Sequence, residues 1–408
     1  MSSGVVFGMW FSFAVFFHAM LQEFHWSRGG AAAAFSLGSI VQALAAPVAG
    51  WLVDRWGPRL VVVSGLAILA GGLAACSSVQ TLWQFTLLFG VVVGLGVGLA
   101  GQVTQAALLS AWFLQRRGTI IGFAFAGMGL GVQVVSPLAQ KLILQVGWRQ
   151  TFLWLALGTA GYAVLVLLTL RNRPQDGGSQ PHGLTRARVD TVGRPHRQVW
   201  TVPQAVRTRE FWTLSLAQLL IPVGIFPISV HQVAYLADLG FSATLAAGIL
   251  GHMGLMSSFG RLLFGTLSDR LGRFWGVTLS VACSQLGILV LLLITGTDAL
   301  WPLYVYAVFF GLGYGARGPI ISAIAADLFP GPSFGTIFGL LSVGSGIGGA
   351  LGPWFGGYVY DVMGSYRPAF LVAFGALFGV ITCFWLATRR LVIPQQAEPE
   401  RRAPAATP

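Results

Sequence analysis

Two arginines sit where few arginines can. Arg261 precedes Asp269 by eight residues, and Arg317 precedes Asp327 by ten; both lie inside long apolar runs. At 1.5 Å per helical residue these intervals correspond to about 12 and 15 Å of helix. A cation that deep in an apolar span is expensive and has to face a cavity or a partner. The acids flanking the spans, Asp54, Asp238, Asp269, Asp298, Asp327 and Asp361, all fall at span ends, so neither guanidinium has an evident permanent partner. A solute carboxylate can be that partner, because the planar guanidinium fork grips two carboxylate oxygens at once. The competing reading of Arg261 is a conformational ion pair or a ligand of backbone carbonyls. Arg317 either joins Arg261 on the solute or does something else.

Other groups could share such a site. His18, His231 and His252 fall in or near apolar runs, and imidazole titrates close to neutral pH, so each could carry a coupling proton. Gln102, Gln105, Gln133, Gln232, Tyr235, Ser257 and Tyr314 could line a cavity, since polar groups within spans turn away from lipid. Taken one by one, each also fits a hydrogen bond between packed helices. Cys76, Cys283 and Cys383 all lie in apolar runs with no metal-ligand spacing. No phosphate-binding loop is present, and the glycine-rich run 94–101 has no strand before it. The expectation is therefore no metal, no cofactor and no enzyme activity.

The elements that hold these residues are membrane helices. The chain has 408 residues, 55% hydrophobic and only 9% charged, with a net charge of +12. So few charges cannot cover a water-facing surface. Unbroken apolar runs such as Thr81 to Ala100 lack the alternation of a barrel strand. Runs of roughly 20 apolar residues repeat along the chain, and the pattern predicts twelve spans. A six-helix bundle is expected over residues 1–170 and a central loop over 171–209. A second six-helix bundle follows over 210–389, then a polar, proline-rich tail over 390–408 that is expected to be disordered.

With the N-terminus placed inside, 18 basic residues fall in inner loops, the central loop and the tail. Arg28, Lys141, Arg149 and Arg367 fall outside. That bias predicts a multi-pass inner-membrane protein with both termini cytoplasmic. It also explains the positive charge without nucleic acid. The lipid bilayer is the expected partner, and the eight central-loop arginines would lie near anionic head groups. The first span starts almost at Met1 without a basic anchor, so a natural start upstream is expected.

The halves repeat. Gly50-Trp-Leu-Val-Asp54-Arg55-Trp-Gly57-Pro-Arg59 returns 215 residues later as Gly265-Thr-Leu-Ser-Asp269-Arg270-Leu-Gly272-Arg273. Gly94, Gly96 and Gly98 return 217 residues later as Gly311, Gly313 and Gly315, and Gly118-Thr-Ile-Ile-Gly122 returns as Gly335-Thr-Ile-Phe-Gly339. Duplicated halves around a midplane site are a carrier design. Arg261 and Arg317 align with Ala46 and Ala100, so both break the symmetry that scaffold residues should keep.

The duplicated loop resembles the signature of the major facilitator superfamily. Softer signals point to its monocarboxylate porter and oxalate/formate antiporter branch: Glu23-Phe-His-Trp-Ser27-Arg28, Trp112-Phe-Leu-Gln-Arg-Arg117-Gly118, Gly147-Trp148-Arg149, His231 and Asp327-Leu-Phe-Pro330. The resemblance implies an all-α membrane protein of two pseudo-symmetric six-helix bundles. It also implies a carboxylate-binding role for Arg261, which matches a family arginine by its place four residues before Gly265. The oxalate transporters' second cation, a lysine in span eleven, has no counterpart here, because Lys141 is the only lysine.

Asp54, Arg55, Arg59, Asp269, Arg270 and Arg273 are expected to act either as a latch that shuts one face or as tight, topology-setting turns. Asp327 is expected to pair with Arg270 or Arg273. Gly348, Gly352, Pro353, Gly356 and Gly357 imply a hinge, close helix packing, or both. A similar pattern marks span five of drug antiporters, but span five here has Ser136-Pro137 and no Gly-Gly pair.

The function expected is secondary transport of small, monocarboxylate-like organic anions by alternating access. A proton or a counter-anion would be the coupling ion, and the carrier would be a monomer. Efflux of drug-like or neutral molecules is the alternative. A non-transporting sensor or scaffold is the alternative of another class.

Overall fold

The computed structural model describes residues 2–105, 108, 117–170, 200–329 and 334–392. The central-loop residues 171–199 and the tail from 393 onward lie outside the described residues. Among the described residues the regular elements are all helices. Nine helical runs among the described residues are long and apolar enough to cross a bilayer. One of them, Phe125–Thr169, has 45 residues and breaks at Gly147 (φ 80°, ψ 162°), so it makes two spans. The helices Ala243–Leu271 and Trp301–Leu328, of 29 and 28 residues, also have the length to cross.

The twelve spans in chain order begin with α1 Ser2–Phe24, α2 Arg28–Trp56, α3 Pro58–Cys76 and α4 Leu82–Gln105. The run Arg117–Thr169 forms α5 before Gly147 and α6 after it. The second half holds α7 Arg209–Asp238, α8 Ala243–Leu271, α9 Arg273–Leu293, α10 Trp301–Leu328, α11 Phe334–Met363 and α12 Arg367–Val392. Several helices run past the apolar runs into charged residues. At α2 and α7 the cause is capping: the hydroxyls of Ser27 and Thr208 accept from the Gly30 and Phe211 N–H groups, so each helix starts at its cap. The end of the central linker is folded, with a short helix Val202–Val206, a buried Ala205, and Trp200 edge-on to Phe329 at 5.5 Å.

The sequence repeat is a repeat of contacts. Gly57 and Gly272 occupy the same place in the duplicated loop and adopt nearly the same backbone, φ 82°, ψ 156° and φ 91°, ψ 156°. That region is essentially closed to residues with a Cβ. Gly57→Ala and Gly272→Ala should each cost about 1–3 kcal/mol, read as a lower melting temperature in detergent. Gly96 lies against α3 and Gly98 against α2; their partners Gly313 and Gly315 lie against α9 and α8. The two bundles meet along α2 with α11, α5 with α8, and α1 with α7. Large apolar side chains such as Leu44, Leu168 and Leu293 are exposed on the outer surface, and exposed Trp83, Trp212 and Trp301 sit near helix ends as interfacial anchors.

Candidate functional site

Arg261 lies at the junction of the two bundles. Its Nη1 donates to the carbonyl of Phe125 on α5. The Ser258 hydroxyl, three residues earlier, donates to the Ala126 carbonyl at 2.5 Å. Around these bonds α5 and α8 approach through Gly129 and Gly254, where a Cβ would strike backbone. Arg261 therefore reaches across to a weak, uncharged acceptor. Gln133, on the same face of α5 against Gly251, has a buried Oε1 with no hydrogen-bond partner.

Arg317 on α10 is 4% exposed. Its Nη2 donates to Ser284 Oγ of α9 at 2.5 Å, while Nε and Nη1 have no hydrogen-bond partner. Tyr314, one turn earlier, is within electrostatic reach of both guanidinium groups and sets its ring edge-on to Phe11 of α1 at 6.2 Å. Among the described residues, the salt bridges do not involve either arginine. Buried donors of a cation left unpaired are costly.

The remaining candidates divide. Ser257 lies one turn from Arg261, its hydroxyl spent on Gly254 O at 2.7 Å. Gln102 is exposed, with Nε2 3.8 Å from Met128 Sδ. Gln105 accepts from Ser3 and donates to Ala100 O, so it braces the first bundle. Gln232 accepts from buried Tyr306 at 2.7 Å. Tyr235 points its hydroxyl at Leu291 O at 3.4 Å and packs on Tyr366 and Phe370. His252 is exposed, bonded to Gly248 O and edge-on to Tyr304. The structure does not bring Gln105, Gln232, Tyr235 or His231 to the arginines. The rotation of α4 and α7 turns those side chains into their own bundles or toward the far end, and rotation is set by packing.

At the end carrying the duplicated loops, the described contacts stay within each bundle. Arg59 donates to the Leu167 carbonyl, and Arg55 lies over the Trp51 ring at 5.5 Å. Arg273 pairs with Asp327 at 3.2 Å and reaches Ser268 at 3.3 Å, and Arg270 is exposed. The Asp54 and Asp269 side chains lie outside the described set, as do residues 111–116 and Pro330. The glycines of α11 are sites of close approach: Gly352 meets the Pro222 carbonyl, Gly356 the His231 ring, and Gly357 the Arg28 backbone.

The charged bonds between the bundles among the described residues form at the opposite end, where sequence reasoning saw only flanking charge. Arg28 grips Asp238 of α7 with two bonds, at 2.6 and 2.9 Å, and donates to the Tyr366 hydroxyl at 3.0 Å. Its guanidinium lies 3.7 Å from the Tyr360 ring centre. The first turn of α2 adds its own donors: the N–H groups of Arg28 and Gly29 both reach the Asp361 carboxylate at 2.8 Å. A carboxylate at a helix N-terminus is favoured by unpaired N–H groups and the dipole together. The available signal was one base on the first bundle facing acids at span ends of the second, all on one side. Beside this latch, Glu23 ties Trp148 and Arg149 at 2.5 and 2.6 Å, so these motif residues join α1 to α6.

The chain is similar to known carriers over most of its length. It is 30% identical to monocarboxylate transporter 13 of Bos taurus over 371 residues, covering 91% of this chain and 83% of that one. It is 25% identical to the oxalate:formate antiporter of Oxalobacter formigenes over 270 residues, 65% of this chain and 61% of that one. The fold matches that of the nucleoside transporter NupG with a TM-score of 0.72 at 15% identity, covering 95% and 98% of the two chains. The family profile matches residues 1–302 and 274–407, and with the twelve spans and duplicated loops in place the chain belongs to the Major Facilitator Superfamily.

Proposed function

We propose that this transporter carries small, monocarboxylate-like organic anions by alternating access, with the solute carboxylate bound by Arg261 and drawn by the positive charge of Arg317. The observation that carries the reading is the pair of intramembrane guanidinium groups with no carboxylate partner among the described residues. The Arg261 bond to the Phe125 carbonyl is one a carboxylate outcompetes, since a carboxylate brings a full negative charge and can take two guanidinium N–H groups at once. Tyr314, within electrostatic reach of both arginines, would add a hydrogen bond. The names of the relatives, carriers of monocarboxylates and of oxalate and formate, agree with this chemistry. The positive-inside bias orients the duplicated loops and both termini toward the cytoplasm of an inner-membrane protein. The Arg28 latch then lies on the outer face, and the carrier acts as a monomer coupled to a proton or a counter-anion.

Uptake of labelled short-chain monocarboxylates into proteoliposomes, against their uncharged amides as competitors, tests the assignment. Saturable uptake that carboxylates inhibit and amides do not is expected. Equal inhibition by the amides overturns it. Uptake that persists with a protonophore assigns exchange rather than proton symport.

A further inference from the structure

The Arg28 latch continues into the protein as a one-way hydrogen-bond chain. Arg28 donates to the Tyr366 hydroxyl at 3.0 Å. Tyr366 lies 3.1 Å from Nδ1 of His231, and Nε2 of His231 lies 2.8 Å from the Pro353 carbonyl. A carbonyl only accepts, so Nε2 carries a hydrogen. The Tyr366 hydroxyl, already accepting from Arg28, spends its own hydrogen on Nδ1. Every group is satisfied by one arrangement, with a neutral imidazole. His231 is fully buried, wedged between the Phe17 ring and Gly356.

We propose that His231 is a proton-binding site that controls the latch: a proton on its Nδ1 opens the Arg28 end of the carrier. A second N–H on the ring would point at Tyr366, whose hydroxyl would then face two donors and lose the acceptor for its own hydrogen. The imidazolium would also repel the Arg28 guanidinium across that hydroxyl. The neutral ring belongs to the shut latch and the protonated ring to the open one, so acid drives opening by linkage. This is a bias on the gate rather than carriage of the coupling proton, because the shut state excludes the proton from His231. It rests on alternating access and not on the identity of the cargo.

The charged and titratable neighbours are few. Within α7, Asp238 pairs with Arg28, and Tyr235 faces Tyr366. From α11 come Tyr360, stacked near Tyr366, and Asp361, held by the α2 backbone. Arg367 follows Tyr366 on α12 and acts on Tyr235. From α10, Tyr306 bonds Gln232 and not His231. His18 of α1 is the second imidazole near Arg28 and Asp238, so it is the necessary control.

The test is a distance between spin labels on exposed Ser78→Cys and Thr244→Cys, at the latch end of the two bundles, with the native cysteines replaced and no solute added. As pH falls through the imidazole range of about 8 to 5, the open-to-shut ratio should rise by up to about tenfold per pH unit, the limit for one linked proton. His231→Gln, whose amide can donate to Pro353 and accept from Tyr366, should abolish the response. Tyr366→Phe should abolish it with His231 still in place, and His18→Gln should leave it intact. A wild-type distance that ignores pH, or a pH response kept by both His231→Gln and Tyr366→Phe, overturns the proposal. Because no solute enters the measurement, a failed carboxylate assignment leaves it standing, and its own failure leaves that assignment standing.

Discussion

Arg261→Ala should cut carboxylate uptake at sub-saturating concentration by roughly 30-fold to several-thousand-fold, because removing one partner of a buried, hydrogen-bonded charge pair costs about 2–5 kcal/mol and each 1.4 kcal/mol is a factor of ten. The protein should still fold and insert, since among the described residues the hydrogen bond of Arg261 is one to the Phe125 carbonyl. Arg261→Lys keeps the charge but loses the fork and should recover only part of the uptake. Arg317→Met provides the contrast. Removing a buried cation with two unpaired donors should raise the melting temperature while uptake falls. Paired uptake curves and thermal melts separate these effects. Arg261→Ala with uptake and affinity unchanged would move the binding site elsewhere on the chain.

Arg28→Ala should shift the carrier toward the state open at the latch end. The substitution removes two charged bonds to Asp238, one to Tyr366 and the stacking on Tyr360. Arg28 is only 17% exposed, so a loss of about 2–5 kcal/mol is expected rather than the fraction of a kcal/mol typical of surface pairs. A shift of that size moves a two-state ratio by a similar 30- to several-thousand-fold. The Ser78–Thr244 label distance should lengthen, and solute uptake should slow because one half of the cycle is trapped. Asp361→Asn should act in the same direction but less strongly, since an amide oxygen can still accept one of the two backbone N–H groups. An unchanged distance distribution in Arg28→Ala would mean that the contacts along α2–α11 and α5–α8 hold the end shut without it.

Much of this protein was written locally. Long apolar runs with charges at their ends give membrane helices, because a backbone in lipid must satisfy its own hydrogen bonds. The Asp-Arg-x-Gly loops announced the duplication, since only glycine suits the backbone of residues 57 and 272. Arg261 and Arg317 stood out because a charge at that depth is costly wherever its helix packs. What each charge meets was decided only in three dimensions. Arg28 finds Asp238 and Asp361, 210 and 333 residues away. Tyr235 and His231 share α7 yet serve the Arg28 end of the second bundle and not the arginines. Hydropathy depends on a residue and its neighbours along the chain, so it can be read one window at a time. Helix rotation and the choice of partner depend on close packing between segments distant in sequence, and that exists only once the twelve helices are assembled.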